Sequence, residues 1–324
     1  SMFSGVSGLR NHQIKMDVIG NNIANVNTQG FKASRTTFKE MYNQTLSAPS
    51  RPSEALGGTN AMQIGLGVST GSIDMVFGTG STQTTDRMLD LAIEGDGFLA
   101  VNQGEITYYT RSGNLYRDAN GLLITSGGMY LQGVMFDLTA QIPDGADYDI
   151  EETTTFPEDN IFGGDVPFTY VELDDYLADA LGEEDPGARA EWFATEGNVG
   201  MIFIPDSFSN ISIGKNGMIS GINAYGDLMV IGAIPLITFV NPEGLDRVGD
   251  NLYLPSSNSG IPVWHGAGEG TGAGTIKAGA LEMSNVDLSR EFTEMIITQR
   301  GFQANSRIIT VSDTLLEELI NLKR

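Results

Sequence analysis

Along the final stretch of the chain, Asp287 to Arg324, apolar residues return at alternating steps of four and three. The steps pick out Leu288, Phe292, Met295, Gln299, Phe302, Ser306, Ile309, Asp313, Leu316 and Ile320, seven of them apolar. This heptad seam predicts one helix about 57 Å long at 1.5 Å per residue. Asn285 or Asp287 can cap its start, Arg290 and Glu294 are placed four apart on its outer face, and Lys323 and Arg324 suit its C-terminus. The same stepping from the other end gives Met2, Val6, Leu9, Gln13, Met16, Gly20 and Ile23 and predicts a helix over 2–27. Neither helix can bury its stripe against itself. The two stripes are expected to partner each other, either as a hairpin closing a globular domain or as the inner layer of an assembly.

Between the termini the period changes. Residues 28–63 read as a turn, a short helical piece from Thr36 to Leu46 and a Ser/Pro/Gly-rich linker from Ser47 to Thr59. From Met62, Ile64, Leu66 and Val68 alternate with small residues, the period of a strand. Further strands are expected at Ser72–Phe77, Leu89–Ile93, Phe98–Asn102, Ile106–Thr110, Leu122–Thr125 and Met129–Gly133. After an interruption they resume at Ile211–Ile213, Met218–Ile222, Leu228–Phe239 and Leu252–Leu254. The interruption, 138–206, carries expected helices at Leu173–Leu181 and Gly187–Ala194. Its aromatics Phe156, Phe162, Phe168, Tyr170, Trp192, Phe193 and Phe203 suffice for a small core.

Asparagines crowd the end of the first helix, where residues 21–32 read Asn-Asn-Ile-Ala-Asn-Val-Asn-Thr-Gln-Gly-Phe-Lys. Asparagine favours caps and left-handed turns, and Gly30 accepts positive φ, so a helix ends here and an extended segment begins. The residues Asn21, Asn22, Ala24, Asn25, Thr28, Gly30, Phe31 and Lys32 match the Asn-Asn-x-Ala-Asn-x-x-Thr-x-Gly-Phe-Lys signature, so the chain resembles the axial family of bacterial flagellar rod and hook proteins. Leu89 to Phe98 is similar to a second landmark of that family and Tyr109 to Asn114 to a third. Gly279 to Ser289, followed by Gln299-Arg300-Gly301-Phe302-Gln303, is most similar to the hook branch. The resemblance covers roughly 2–135 and 210–324. It implies export by the flagellar type III apparatus, and Phe38 and Tyr42 resemble the aromatic-spaced segment that early substrates present to the export gate. By pattern alone, those two residues mark the end of a short amphipathic helix.

Composition narrows the chemistry. The chain has no cysteine, which removes disulfides, thiolate metal sites and cysteine nucleophiles. No apolar run is long enough to span a membrane, and the N-terminus shows no basic region followed by an apolar core, so neither membrane insertion nor a cleaved secretory signal is expected. Of the net charge of −23, residues Asp137 to Asp206 hold −18, from 19 acids against Arg189. Such a field opposes nucleic acid and favours a solvated face. The glycine run from Gly266 to Gly274 lacks the Gly-Lys-Ser/Thr ending of a phosphate loop. The histidines, His12 and His265, lie outside the interruption, which removes a His-Glu-x-x-His zinc site there. Asp144, Asp147, Asp149, Glu151 and Glu152 do not follow the EF-hand spacing.

The expected architecture is multi-domain α+β: long N- and C-terminal helices forming a coiled-coil-like inner layer, a discontinuous antiparallel β domain and a small inserted outer domain. The divisions are 1–70 with 280–324, 71–137 with 207–279, and 138–206. The resemblance implies no enzyme and no cofactor. It implies a structural subunit of the flagellar hook, outside the cell, that self-assembles into a curved tube and transmits torque. The alternatives are a distal rod subunit of the basal body, or an axial protein whose insertion binds calcium or another ligand or is catalytic. The implied partners are further copies of itself, neighbouring rod, hook-cap and hook-filament junction proteins, and the export apparatus. The expected assembly seam comprises Val6, Leu9, Met16, Ile23, Leu288, Phe292, Met295, Phe302, Ile309, Leu316 and Ile320.

Overall fold

A computed structural model of the chain describes residues 2–51, 57–104, 106–138, 170–171, 173, 176, 199–268 and 272–322. They fall into two units. The first comprises 1–27, 32–76 and 286–324, the second 28–31 and 77–285. The chain therefore enters each unit more than once.

The first unit contains α1 (Met2–Ala24), strands β1 (Ser34–Glu40), β2 (Asn43–Ser47), β3 (Met62–Gly65) and β4 (Val68–Met75), and α2 (Leu288–Asn321). Asp287 caps α2 as expected, its Oδ1 accepting from the amides of Ser289 and Arg290 at 2.9 and 3.3 Å. The helix expected between Thr36 and Leu46 is instead extended. Thr36, Thr37 and Phe38 are β-branched or aromatic, and pairing with β4, from Ser34 opposite Met75 to Glu40 opposite Val68, satisfies their backbone. Because β4 continues to Met75, residues 71–76 stay with the helical unit and not with the β domain assigned from the sequence.

The second unit is almost all β. Its strands are β5 (Thr82–Thr84), β6 (Leu91–Glu94), β7 (Leu99–Gln103), β8 (Ile106–Thr110), β9 (Leu115–Arg117), β10 (Leu123–Thr125), β11 (Tyr130–Phe136), β12 (Tyr170–Val171) and β13 (Gly200–Met201). They continue with β14 (Ser209–Ile213), β15 (Met218–Ile222), β16 (Leu228–Ala233), β17 (Pro235–Thr238), β18 (Asp246–Gly249), β19 (Leu252–Leu254), β20 (Val263–Gly266), β21 (Thr275–Ala278) and β22 (Ala280–Glu282). The main sheet runs β14-β15-β16-β11-β7-β8-β19-β18, and short ladders join β17 to β20, β21 to β6 and β22 to β5. Among the described residues every pairing is antiparallel except β11 with β12. β11 and β16 bring together residues from either side of the interruption, so the β unit is discontinuous in sequence.

Leu91, Leu99, Val101, Leu115, Leu131, Ile202, Ile204, Ile219, Ile231 and Leu236 form the core, all essentially buried. Ile202 and Ile204 correct the boundary drawn from the sequence. The apolar run Met201-Ile202-Phe203-Ile204 was assigned to the outer insertion, but its backbone bonds to Leu131, Leu123 and Gly121 and its side chains fill the inner core. Tyr176 is also buried, its ring 5.1 Å from that of Phe136. The expected helices at 173–181 and 187–194, and the acidic cluster from Asp144 to Glu152, lie outside the described residues apart from Leu173 and Tyr176.

Candidate functional site

Four stretches singled out in the sequence meet at one buried ion pair in the β unit. Arg111, from Tyr109–Asn114, reaches Glu282, from Gly279–Ser289, at 3.3 Å, with side chains 2% and 1% exposed. The Arg111 Nε donates to the carbonyl of Gly97 at 2.9 Å and an Nη to that of Gly95, both from Leu89–Phe98. Its guanidinium lies over the Phe98 ring. The Glu282 carboxylate also accepts the Gly80 amide at 3.0 Å, and its backbone carbonyl accepts the Gly30 amide at 2.8 Å. Gly30 has φ +68°, and a Cβ there would stand 2.8 Å from the Ser112 amide nitrogen. Close approach and a left-handed backbone together demand glycine.

The segment carrying Gly30 is fastened at both flanks. Asn251 donates to the carbonyl of Gln29 at 2.8 Å, and the Arg247 guanidinium covers the Phe31 ring at 4.8 Å. Breaking a buried pair strands a charge, so Arg111 and Glu282 act as a lock on register. The donors and acceptors of the pair are directed at each other and at backbone. The arrangement holds chain segments together.

In the helical unit, Asn22 does comparable work. It is 1% exposed, accepts the Ser34 amide at 3.0 Å, donates to the Ser34 carbonyl at 2.9 Å and reaches Glu291 on α2 at 3.2 Å. Asn25 bonds back to Asn21, Ala24 is exposed, Thr28 accepts the Phe31 amide, and Lys32 is fully buried. One turn pattern thus contains a clamp, a left-handed glycine and two buried side chains. Asn11, also buried, donates to the Val68 carbonyl at 2.7 Å and accepts from Thr70 at 2.8 Å, tying β4 to α1.

The helices pack antiparallel, but not through the expected seams. α1 presents Gly5, Gly8, Asn11, His12, Lys15, Ile19 and Asn22, and α2 presents Glu291, Glu294, Thr298, Gly301, Asn305 and Ile309. A Cβ on Gly8 would come within 2.8 Å of the Asn305 side chain, and one on Gly301 within 2.7 Å of the His12 ring. Lys15 bonds Glu294 at 2.6 Å, so Glu294 faces α1 rather than pairing with Arg290. The His12 ring meets Phe38 edge-on at 6.0 Å, and burial, with the nearby Lys15 ammonium, holds its pKa below the ordinary value. Small residues win because they let backbones approach where larger apolar side chains cannot. The sequence did carry a signal: Gly5 and Gly8 each cost a helix about 1 kcal/mol against alanine, which calls for a packing reason.

Turning onto that face leaves much of the predicted seam in solvent. Val6, Leu288, Phe292, Leu316 and Ile320 are exposed; Leu9, Met16, Ile23, Met295, Phe302 and Ile309 are half-buried. Ile296, Ile297, Ile308, Val311, Leu315, Leu319 and Leu322 are also exposed. Of the export-segment residues, Phe38 rests on His12 and Tyr42 is 80% exposed. Both lie on or beside strands, not at a helix end. Among the described residues no group of three His, Asp or Glu side chains could hold a metal, and no helix is long and apolar enough to cross a membrane.

Three family descriptions match the chain: flagella basal body rod protein over 2–32, flagellar hook protein FlgE/F/G D1 domain over 92–158, and flagellar basal body rod FlgEFG protein C-terminal over 277–322. The chain is 42% identical over 325 residues to the flagellar basal-body rod protein FlgG of Bacillus subtilis, covering 100% of this chain and 99% of that one. It is 32% identical over 442 residues to the flagellar hook protein FlgE of Borreliella burgdorferi, with 100% and 99% covered. A flagellar hook protein FlgE from Treponema pallidum is likewise 32% identical, over 461 residues.

Proposed function

Because the chain belongs to the bacterial flagellar rod and hook family, whose members are structural components of the flagellum, we propose that it is a self-assembling subunit of the distal rod. The observation that carries self-assembly is the exposed apolar surface of both terminal helices. A monomer has packed them through glycine, asparagine and an ion pair and left Val6, Phe292, Leu316 and Ile320 wet. Contiguous exposed apolar surface of this kind marks an interaction site. Repeated round a helical lattice, these faces would form the inner tube. The partners are further copies of the chain, adjoining rod, hook-cap and junction proteins, and the type III export apparatus, to whose gate the chain would present Phe38 and Tyr42.

Length favours rod over hook. The alignment with the rod protein needs 325 positions for 324 residues, so that relative inserts about one residue against this chain. Alignments with the hook proteins stretch to 442 and 461 positions. The hook remains the second reading because Gly279–Ser289 resembles that branch. Electron microscopy of concentrated protein tests both. Straight tubes are expected of a rod subunit, curved tubes would transfer the assignment to the hook, and protein that stays monomeric at any concentration would refute self-assembly.

A further inference from the structure

Strands β2 and β3 pair only with each other among the described residues, and every residue in them is exposed. Gln44 stands opposite Ile64 and Ser47 opposite Met62. Alternation therefore puts Tyr42, Gln44, Met62, Ile64 and Leu66 on one face and Asn43, Thr45 and Gln63 on the other, and a register shift between Thr45 and Ser47 sets Leu46 and Ser47 together opposite Met62. A lone two-stranded ribbon is marginal in water, and this one presents a one-sided apolar face to solvent. That face runs on at Leu66 into a groove of about 530 Å³ against α1, lined also by Phe3, Val6, Arg10, Ile14 and Met41. Asn11 and Ser7 hold the floor of the groove open by pinning Val68 to α1.

The same unit carries a second unpartnered surface. α1 faces α2 from Asn22 beside Glu291 to Gly5 beside Ile309, and α2 then continues to Asn321. This overhang, Ser312 onward, is about 15 Å long. Beginning just before it at Val311, the residues Val311, Leu315, Leu319 and Leu322 follow steps of four, four and three along one side of the helix end, all 55% exposed or more. Five residues of extended chain in the ribbon span about 17 Å, a matching length. Asp313 and Glu317 lie on the far side of the overhang, Glu318 flanks the stripe beside Leu315 and Leu322, and the charged residue lining the groove is Arg10. A continuous helix cannot turn back into the groove of its own chain.

We infer that in the polymer the α2 overhang of one copy lies in the α1–ribbon groove of a second copy. The inference rests on the reading of the chain as a self-assembling subunit and names the two surfaces that meet. Absence of cysteine makes the test clean. V6C and L315C proteins are mixed, polymerised and oxidised, with L46C and L319C as a second pair. At least one pair is expected to give a disulfide-linked dimer in polymer and none in dilute solution, and V6C should be shielded from maleimide in the polymer. Polymers in which neither pair crosslinks and V6C stays reactive would leave the groove open, overturning the inference while leaving self-assembly intact. If wild-type protein never polymerises, both fall. A further variant, L315D/L319D, should keep its helix content and lose polymerisation; normal polymers from it would also overturn the inference.

Discussion

Arg111 and Glu282 are 171 residues apart in the chain, yet their buried side chains meet at 3.3 Å and together fix Gly30, Gly80, Gly95 and Gly97. Four segments that look unrelated along the sequence are thus held by one ion pair. R111A should strand the Glu282 carboxylate and cost the β unit about 3–5 kcal/mol in urea unfolding. R111M/E282L, which removes both charges, should cost clearly less. A loss below about 1 kcal/mol for R111A would show that the pair does not lock the junction.

The glycines of the helical hairpin should divide by environment. G301A and G8A place a methyl against His12 and Asn305 and should destabilise the hairpin although alanine is the better helix former. Gly20 has nothing within 4 Å of a Cβ, so G20A should stabilise it by about 0.5–1 kcal/mol. Thermal melts followed at 222 nm separate the two. If all three substitutions stabilise, the close approach of α1 and α2 is wrong.

His12 predicts an acid sensitivity. Its folded pKa lies below the ordinary 6.5 because of burial and Lys15, so the unfolded chain binds the proton more readily. The stability it contributes is complete above about pH 6.5 and is lost as pH falls toward the lowered value. H12Q should melt with a shallower dependence between pH 7.5 and 5.5 than the parent. Equal slopes would exclude His12 as the source.

Alkaline titration should reveal buried phenols. Burial pushes Tyr109 up to about 12 and also raises Tyr176 and Tyr253, the last opposed by Arg247. A raised folded pKa means stability is complete below about pH 10 and drains as pH rises through the folded value. Tyrosinate absorbance should therefore show an early exposed class and a late class that ionises with unfolding. A single transition near pH 10 in folded protein would contradict the burial.

Joining Asp137 directly to Ser207 should unfold the β unit, because that deletion removes Ile202 and Ile204 from the core. A deletion confined to 139–169 spares those residues and the buried Tyr176, and should leave the urea midpoint of the β unit close to that of the parent. Equal stability of the two deletions would put 199–206 outside the core.

Local pattern was enough for much of this protein. The heptad stepping placed α2 to within a few residues, Asp287 capped it, and period-two runs located most strands, because each depends on neighbours in the chain. The turn signature around Asn22 and Gly30 and the family likeness were equally legible. Tertiary structure decided the rest. Which face of α1 meets α2 depends on how closely two backbones can approach, and glycine and asparagine won over the stronger apolar stripe. Thr36–Glu40 became a strand because β4 offered a partner. Ile202 and Ile204 joined the inner core because β11 lay beside them, although their sequence neighbours are an acidic segment. That Arg111 would find Glu282 depended on long-range closure of the sheet, which no local spacing records.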